Sequence, residues 1–201
     1  DLFDGHAVFE TPKPVELIEI LLKLSAEDGI VLDFFAGSSA TAEAVLRLNN
    51  NNKFIMVQMP EPCDENSIAY KDGFSNIAEI SKERIRRAIK QFEQDETQPK
   101  QLGIDLGEDS TGVNLSKYLR KRDLGFKVFK LTSSNFKIWR SNEITEDNLV
   151  RQLEAFTNPV HANSPEQDML YELMLKAGYQ LTDKVEETGA YYSIAAGQLI
   201  I

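Results

Sequence analysis

Residues 29–48 read GIVLDFFAGSSATAEAVLRL, which predicts a strand, a tight turn and the start of a helix. The apolar run from Ile30 to Leu32 is typical of a strand that is covered on both faces. Asp33 ends this run, and small residues follow it. From Thr41 onward, apolar residues recur at helical spacing. This order of elements is typical of an α/β corner that holds a small molecule at the edge of a parallel sheet.

The segments on either side of this corner extend the α/β pattern. Residues 9–24 begin FETPKP and continue with apolar residues at helical spacing, which predicts an amphipathic helix with its prolines in the first turn. Residues 53–58, KFIMVQ, predict a second strand. Gln58 lies 25 positions after Asp33, near the position where nucleotide-binding α/β units place a side chain on the ribose hydroxyls. An acid is usual there, and glutamine supplies both an acceptor and donors.

A third helix is predicted after the second strand. Asn76 and Glu79 have the spacing of a capping box, and the apolar positions that follow predict a helix to about residue 92. This helix is the most basic stretch of the chain. Because Glu83 and Arg87 have the i, i+4 spacing of a solvated ion pair, we interpret its charges as a solvated face, with phosphate binding as the alternative.

The remainder of the chain has a different pattern. Residues 125–131 alternate apolar and polar side chains, as a half-buried strand does. In residues 141–201, caps at Thr145 and Ser164 predict two helices, and two short strands follow them around Ala196-Gly197. The sequence therefore predicts an α/β fold with a small α+β subdomain at residues 141–201.

Composition limits the possible functions. The 201 residues include 32 acidic and 22 basic side chains, and a formal charge of −10 argues against a broad phosphate-binding surface. The single cysteine, Cys63, excludes an internal disulfide and fits a reducing compartment. No apolar stretch approaches the ~20 residues of a membrane span, so we expect a soluble cytoplasmic protein without a membrane partner. His161 has no acid or cysteine at ligand spacing, and no metal site is predicted.

Three motifs together resemble a known enzyme family: FETPKP at residues 9–14, DFFAGS at 33–38 and FIMVQMPE at 54–61. Their order is similar to that in the cofactor half of amino-methylating DNA methyltransferases. The match is best to the modification subunit of Type III restriction-modification systems, a β-order N6-adenine methyltransferase. The resemblance implies that residues 1–140 form the S-adenosylmethionine-binding half of a Rossmann-like methyltransferase sheet. It also implies that residues 141–201 are an appended subdomain for assembly or dimerisation.

The resemblance implies roles for individual residues of the corner. Asp33 would face the ammonium group of S-adenosylmethionine, and Phe35 would make an apolar contact with this cofactor. Gly37 and Ser38 would let its methionine part approach the backbone. Gln58 would hold its ribose.

A first cofactor motif is implied at Phe9, Thr11 and Lys13, with Lys13 as the candidate for the carboxylate of the cofactor. The chain departs from the family pattern at Ser39 and Ala40, which stand where Gly-Thr is usual. A Cβ at position 39 is unwelcome if the backbone there needs a positive φ or a close approach by the ligand.

The resemblance assigns no catalytic residue to this chain. The family signature is Asp-Pro-Pro-Tyr or a close variant, and the chain contains no Pro-Pro; residues 158–161, NPVH, depart from it at the third and fourth positions. In β-order enzymes the cofactor motifs follow the catalytic and DNA-recognition segments. We therefore expect a C-terminal piece of a longer protein, inactive by itself. The intact protein would bind double-stranded DNA through the missing segments, pair with a restriction subunit and form a homodimer.

Two other functions stay open at this point. A nucleotide-binding oxidoreductase domain would need Gly-x-Gly-x-x-Gly after the first strand and an acid at position 58, and the chain has neither. A non-enzymatic module, in which residues 141–201 serve dimerisation or docking of a restriction subunit, is compatible with the methyltransferase interpretation.

Overall fold

The computed structural model describes residues 2–25, 28–97, 122–138 and 141–201. The chain divides into two compact units, a first unit at Asp1–Gly125 and a second unit at Phe126–Ile201. The coarse prediction of mixed helix and strand is confirmed. The division of roles between residues 1–140 and 141–201 stays a prediction. The first unit contains, in chain order, α1 Val15–Ser25, β1 Ile30–Asp33, α2 Ala40–Leu48, β2 Lys53–Met56, α3 Ile68–Lys71 and α4 Ile77–Thr97.

The two strands of the first unit lie side by side in parallel, with Val31 opposite Phe54 and Asp33 opposite Met56. Pairing continues past the ends of the strands, because the Val57 N–H donates to the carbonyl of Asp33 at 2.8 Å. Parallel strands end at the same edge of a sheet. Asp33 and Gln58 therefore lie at the same end of the sheet, as the sequence predicts.

The two faces of this sheet differ in what covers them. Val31 and Phe54 pack against a core supplied by α1 and α2: Val15, Leu22, Ala40, Ala44 and Val45. On the opposite face, Leu32 and Ile55 are 51% and 50% exposed. The prediction that β1 is covered on both faces is wrong for the described residues, because the described helices cover one face only. We call the other side the open sheet face; its residues are Ile30, Leu32, Ile55 and Val57.

Local signals set where the helices of the first unit begin. The prolines of the TPKP motif precede α1 instead of lying inside its first turn. Pro14 is the last residue before the helix, and its carbonyl accepts a hydrogen bond from the Ile18 N–H at 3.4 Å. At the start of α4, the Asn76 side chain accepts a hydrogen bond from the Glu79 N–H at 3.1 Å. That bond confirms the predicted cap.

The second unit contains two α-helices and a small antiparallel sheet. Its elements are α5 Leu149–Thr157, α6 Glu166–Lys176, β3 Val185–Glu187, β4 Tyr192–Ile194 and β5 Leu199–Ile200. The strand order is β3-β4-β5, and β4 with β5 confirms the predicted pair of C-terminal strands. Leu170, Met174 and Ile194 form the buried core of this unit. None of the described helices is both long and apolar enough to span a membrane.

Three predictions for this region are wrong. The first is the cap at Ser164: Pro165 holds the cap position of α6, and the Ser164 hydroxyl donates to the His161 carbonyl at 3.0 Å instead. Residues 125–131 do not form a strand, although their side chains alternate: Val128 is 54% exposed and Leu131 is fully exposed. A strand needs a neighbouring backbone to accept its hydrogen bonds, and no described segment pairs with this one. The helix predicted from Thr145 begins at Leu149, because the Asn148 side chain accepts from the Thr145 N–H and holds residues 145–148 as a turn.

Candidate functional site

The candidate site is the turn that joins β1 to α2. Asp33, at the end of β1, is half-buried and organises this turn with both carboxylate oxygens. One oxygen accepts from the Phe35 N–H at 3.1 Å, and the other accepts from the Thr41 hydroxyl at 2.7 Å. Each oxygen of a carboxylate can accept two hydrogen bonds, so Asp33 keeps acceptor capacity for a ligand.

Gly37 lies at the centre of the turn, with φ at +53°. Its N–H donates to the Gln58 side-chain oxygen at 2.7 Å, and the Gln58 amide nitrogen donates to the Met59 carbonyl at 3.0 Å. A Cβ at Gly37 would lie 3.1 Å from the ring of Phe9. The position therefore needs glycine for two reasons, its positive φ and the close approach of the Phe9 ring.

Ser38 and Ser39, the next two residues of the turn, are almost inaccessible to solvent, at 3% and 0% exposure. Ser39 has φ at +61°, so the condition under which a Cβ is unwelcome at this position is met. Its hydroxyl forms a hydrogen bond with the hydroxyl of Ser81 on α4. This bond to α4 stabilises a backbone conformation that serine rarely adopts.

A buried charge cluster, which the sequence analysis did not identify, lies behind the turn. Glu43 on α2 is 2% exposed; its carboxylate accepts from the Arg47 guanidinium at 2.6 Å and from Arg84 Nε at 2.7 Å. Arg84 also donates to the Ser38 hydroxyl at 3.3 Å. Burial lowers the pKa of Arg47, but the hydrogen bond and charge of Glu43 outweigh this effect and hold that pKa above its ordinary value.

The basic helix α4 is thus divided between two environments. Arg87 forms a 2.8 Å ion pair with Glu83, as the i, i+4 spacing predicts. Arg84 instead lies inward, with 13% of its side chain exposed, and does not belong to a solvated face. The signal that could have identified this pair is Glu43 itself, an acid set among the alanines, valine and leucine of a buried helix.

Phe9 reaches the turn with its ring, whereas the side chains of the remaining predicted residues do not pack into the turn. Phe35 contributes its N–H to Asp33, but its side chain is 90% exposed. Thr11 and Lys13 are exposed in the segment before α1, and the described residues form no hydrogen bond or ion pair with their side chains. In the described parts of the chain, no group of three or more histidine, cysteine, aspartate or glutamate side chains is placed to hold a metal ion.

The sequence of this region matches a protein-family model described as DNA methylase over residues 3–108, which is more than half of the chain. The chain belongs to this family. The matched region contains the turn at Asp33–Thr41, the Gln58 side chain and the buried Glu43–Arg84 pair. The whole candidate site therefore lies within the region that matches the DNA methylase family.

Individual relatives support the same assignment. The Mod subunit of the Type III restriction-modification enzyme StyLTI from Salmonella typhimurium is 48% identical over 92 residues, 43% of this chain and 14% of that protein. The EcoP15I Mod subunit from Escherichia coli is 35% identical over 145 residues, 70% of this chain and 18% of that protein. The Type II methyltransferase M.KpnI from Klebsiella pneumoniae is 37% identical over 93 residues, 44% of this chain and 22% of that protein. The chain thus spans less than a quarter of each of these relatives, and the resemblance to Type III modification subunits is confirmed at the level of sequence.

Proposed function

We propose that this chain is the S-adenosylmethionine-binding part of a site-specific DNA methyltransferase that modifies the N6 atom of adenine within a Type III restriction-modification system. The observation that carries the proposal is the turn between β1 and α2, in which Asp33, Gly37 and Gln58 meet at the carboxyl end of two parallel strands. Family membership and the Mod-subunit relatives supply the reaction class.

The polar groups of the turn fit this cofactor. Asp33 has acceptor capacity left for an ammonium group. After its bonds to Gly37 and Met59, the Gln58 amide still has one lone pair and one proton, which is what the two hydroxyls of a ribose require. The half-buried Gly37 allows the Phe9 ring to approach the turn, and exposed Phe35 offers a second aromatic surface.

In this proposal the described residues bind and orient the cofactor, and they make or break no covalent bond. When bound, S-adenosylmethionine supplies an electrophilic methyl group on its sulfonium. Asp33 would hold the ammonium group and Gln58 the ribose, which lie on either side of the sulfonium, so the methyl group would be placed at a defined point beside the strands. The target adenine would be flipped out of the DNA duplex into a pocket that other parts of the whole protein provide.

The open sheet face fits this division of labour. Its apolar side chains, together with Phe34 and Met59, lie beside the turn and are between 40% and 64% exposed. We propose that the segments carrying the catalytic and DNA-recognition motifs pack here in the whole protein. That protein would act in the cytoplasm on double-stranded DNA, as a homodimer with a restriction subunit.

Titration calorimetry of the 201-residue chain with S-adenosylmethionine and, separately, with NAD tests the cofactor. We expect binding of the first and none of the second. Asp33→Asn should weaken S-adenosylmethionine binding about tenfold, since a charge-assisted hydrogen bond contributes about 1.5 kcal/mol or more. Asp28→Asn is the matched control, because Asp28 is an exposed acid just before the same strand. NAD binding, or equal affinity of the two variants, would contradict the proposal.

An assay of methyl transfer tests the division between cofactor binding and chemistry. We expect no methylation of adenine-containing duplex DNA by the 201-residue chain alone, although it binds the cofactor. Methylation by this chain without an added segment would show that the catalytic groups lie within it, and would overturn the assignment.

A second function, assembly, is favoured by one helix of the second unit. In α5 the side chains of Leu149, Val150 and Leu153 are 41%, 69% and 49% exposed. Such an apolar surface is typical of an interaction site. Sedimentation of the chain with Val150→Glu and Leu153→Glu should show less self-association than the unmodified chain if this helix mediates a homodimer. An unchanged sedimentation profile would assign the helix no part in dimerisation.

A further inference from the structure

The buried carboxylate of Glu43 is the feature of the first unit that folding alone explains least. Moving an ion from water into a protein interior costs several kcal/mol before its partners are counted. Glu43 is 2% exposed and lies in α2 between the buried alanines Ala42 and Ala44. Its two oxygens are occupied by different arginines, Arg47 and Arg84.

The two arginines do not play equivalent parts. Arg47 has 36% of its side chain exposed and pairs with two further acids of α1, Glu16 at 3.2 Å and Glu19 at 3.7 Å. Arg84 has 13% exposed and donates to a residue of the turn, the Ser38 hydroxyl. Arg47 therefore neutralises charge at the surface, whereas Arg84 links α4 to the turn.

Three consecutive residues of the turn are held from outside it. The Gly37 N–H is bound by Gln58, the Ser38 hydroxyl by Arg84 and the Ser39 hydroxyl by Ser81. Ser81 and Arg84 are three residues apart on α4 and therefore lie on the same side of that helix. One face of α4 thus holds the turn through the side chains of Ser38 and Ser39, while Gln58, just after β2, holds it through the Gly37 N–H.

We propose that Arg84, oriented by Glu43, is a positioning residue for the cofactor-binding turn. This inference rests on the proposed function, because the turn is where S-adenosylmethionine is proposed to bind. Arg84 does not contact the cofactor in this proposal. It fixes the buried Ser38 side chain against α4, and this holds the adjoining backbone of half-buried Gly37 in one conformation toward the ligand.

A purely structural ion pair predicts a different behaviour from a positioning pair. Replacing a buried ion pair by apolar side chains of similar size is often neutral for stability, or favourable. The double variant Glu43→Leu with Arg84→Met should therefore keep the chain folded. If Arg84 positions the turn, the same variant should bind S-adenosylmethionine about tenfold more weakly, as loss of a supporting residue typically does around a binding site.

The experiment compares four variants of the 201-residue chain by calorimetry with S-adenosylmethionine and by thermal unfolding. Arg84→Met and the double variant should lose affinity, and the double variant should keep the wild-type melting temperature. Arg84→Lys should lose less affinity than Arg84→Met, because lysine keeps the positive charge. It should still lose some affinity, because lysine has no planar fork with which to bridge Glu43 and Ser38. Arg86→Met is the control: it lies on the same helix, is 53% exposed and is 3.8 Å from Glu83.

Hydrogen exchange of the backbone amides in the cofactor-free chain separates this inference from the proposed function. In the double variant, the amides of Gly37 and Ser39 should exchange faster while those of α1 do not change. If the wild-type chain fails to bind S-adenosylmethionine, the proposed function fails and the exchange result alone decides the role of Arg84. A folded double variant with wild-type exchange at the turn, or with wild-type affinity in a chain that binds, would overturn the inference.

Discussion

Asp33 in the first unit and Glu172 in the second are both carboxylates that hold a loop, and they differ in how fully the protein occupies them. Each oxygen of Asp33 accepts one hydrogen bond, and both donors belong to its own turn. Glu172 accepts from the Ser134 hydroxyl, from two nitrogens of Asn135 and from Lys176. Glu172 is saturated and structural, whereas Asp33 keeps acceptor capacity that a ligand can use.

The pKa of Glu172 reflects this saturation. Burial raises the pKa of Glu172, but the hydrogen bonds from Lys176, Ser134 and Asn135 outweigh burial and bring it to about 2, from an ordinary value of 4.5. The folded second unit therefore strongly prefers the charged form of this side chain.

The largest expected effect is the loss of Glu172 itself. Glu172→Ala leaves two nitrogens of Asn135 without their acceptor and should lower the free energy of unfolding of the second unit by about 3 kcal/mol. Urea unfolding followed by circular dichroism measures the change. Glu186→Ala is the control, because Glu186 and its partner Lys184 are both exposed and such pairs contribute about 0–1 kcal/mol. Equal effects in the two variants would remove the distinction between a saturated and an exposed carboxylate.

The next expected effect is on the pH dependence of stability. Since the folded-state pKa of Glu172 lies below its unfolded value, its contribution is complete above about pH 4.5 and is lost as the pH falls toward 2. After allowance for solvent screening, we expect a loss of about 2 kcal/mol across this window. Glu172→Gln should be less stable at pH 6 but should lose less on acidification. Parallel curves for the two proteins would show that the carboxylate is not specifically stabilised.

A smaller effect is expected at Ser39, whose buried hydroxyl forms a hydrogen bond with the Ser81 hydroxyl. Ser39→Gly removes a left-handed backbone strain of about 1 kcal/mol but leaves the buried Ser81 hydroxyl without this partner. Adding Ser81→Ala should therefore recover about 1 kcal/mol relative to Ser39→Gly. Thermal unfolding of the single and double variants checks this order. If the double variant is the less stable one, the hydroxyl pair is not what offsets the strain.

The smallest effect on stability is expected at Asp33. In Asp33→Asn the Thr41 hydroxyl can rotate and accept from the new amide, so the turn keeps both hydrogen bonds and the free energy of unfolding should change by less than about 1 kcal/mol. Thermal unfolding of the samples used for calorimetry gives the value. A loss as large as that of Glu172→Ala would show that Asp33, like Glu172, is a structural carboxylate.

Local sequence patterns were sufficient to predict the strand, turn and helix at residues 29–48 of the first unit. The apolar run before Asp33, the small residues after it and the cap at Asn76 each act over a few residues, and the structure has the expected elements at all three. The meeting of Asp33 and Gln58 was predictable because parallel strands end at a common edge. The positive φ of Ser39 was only a condition in the sequence-based argument, and the structure shows that the condition is met.

Contacts that depend on the whole fold could not be predicted in this way. Glu43 and Arg84 are 41 residues apart, and although the apolar neighbours of Glu43 indicate burial, no local pattern names Arg84 as its partner. Only the packing of α2 against α4 shows that both lie inside. The alternation at residues 125–131 also misled, since side-chain pattern does not supply the second strand that a sheet needs. The roles predicted for Thr11 and Lys13 stay predictions.

The open sheet face has a practical consequence for any measurement on the purified chain. Four adjacent apolar side chains on a strand surface are a site for a hydrophobic reporter dye and for contact between copies as protein concentration rises. Calorimetric samples at high concentration would then report self-association together with ligand binding. Replacing Leu32 and Ile55 by threonine, which keeps strand propensity, should lower dye fluorescence and leave the turn at Asp33 unchanged, which would give a better-behaved sample for binding studies.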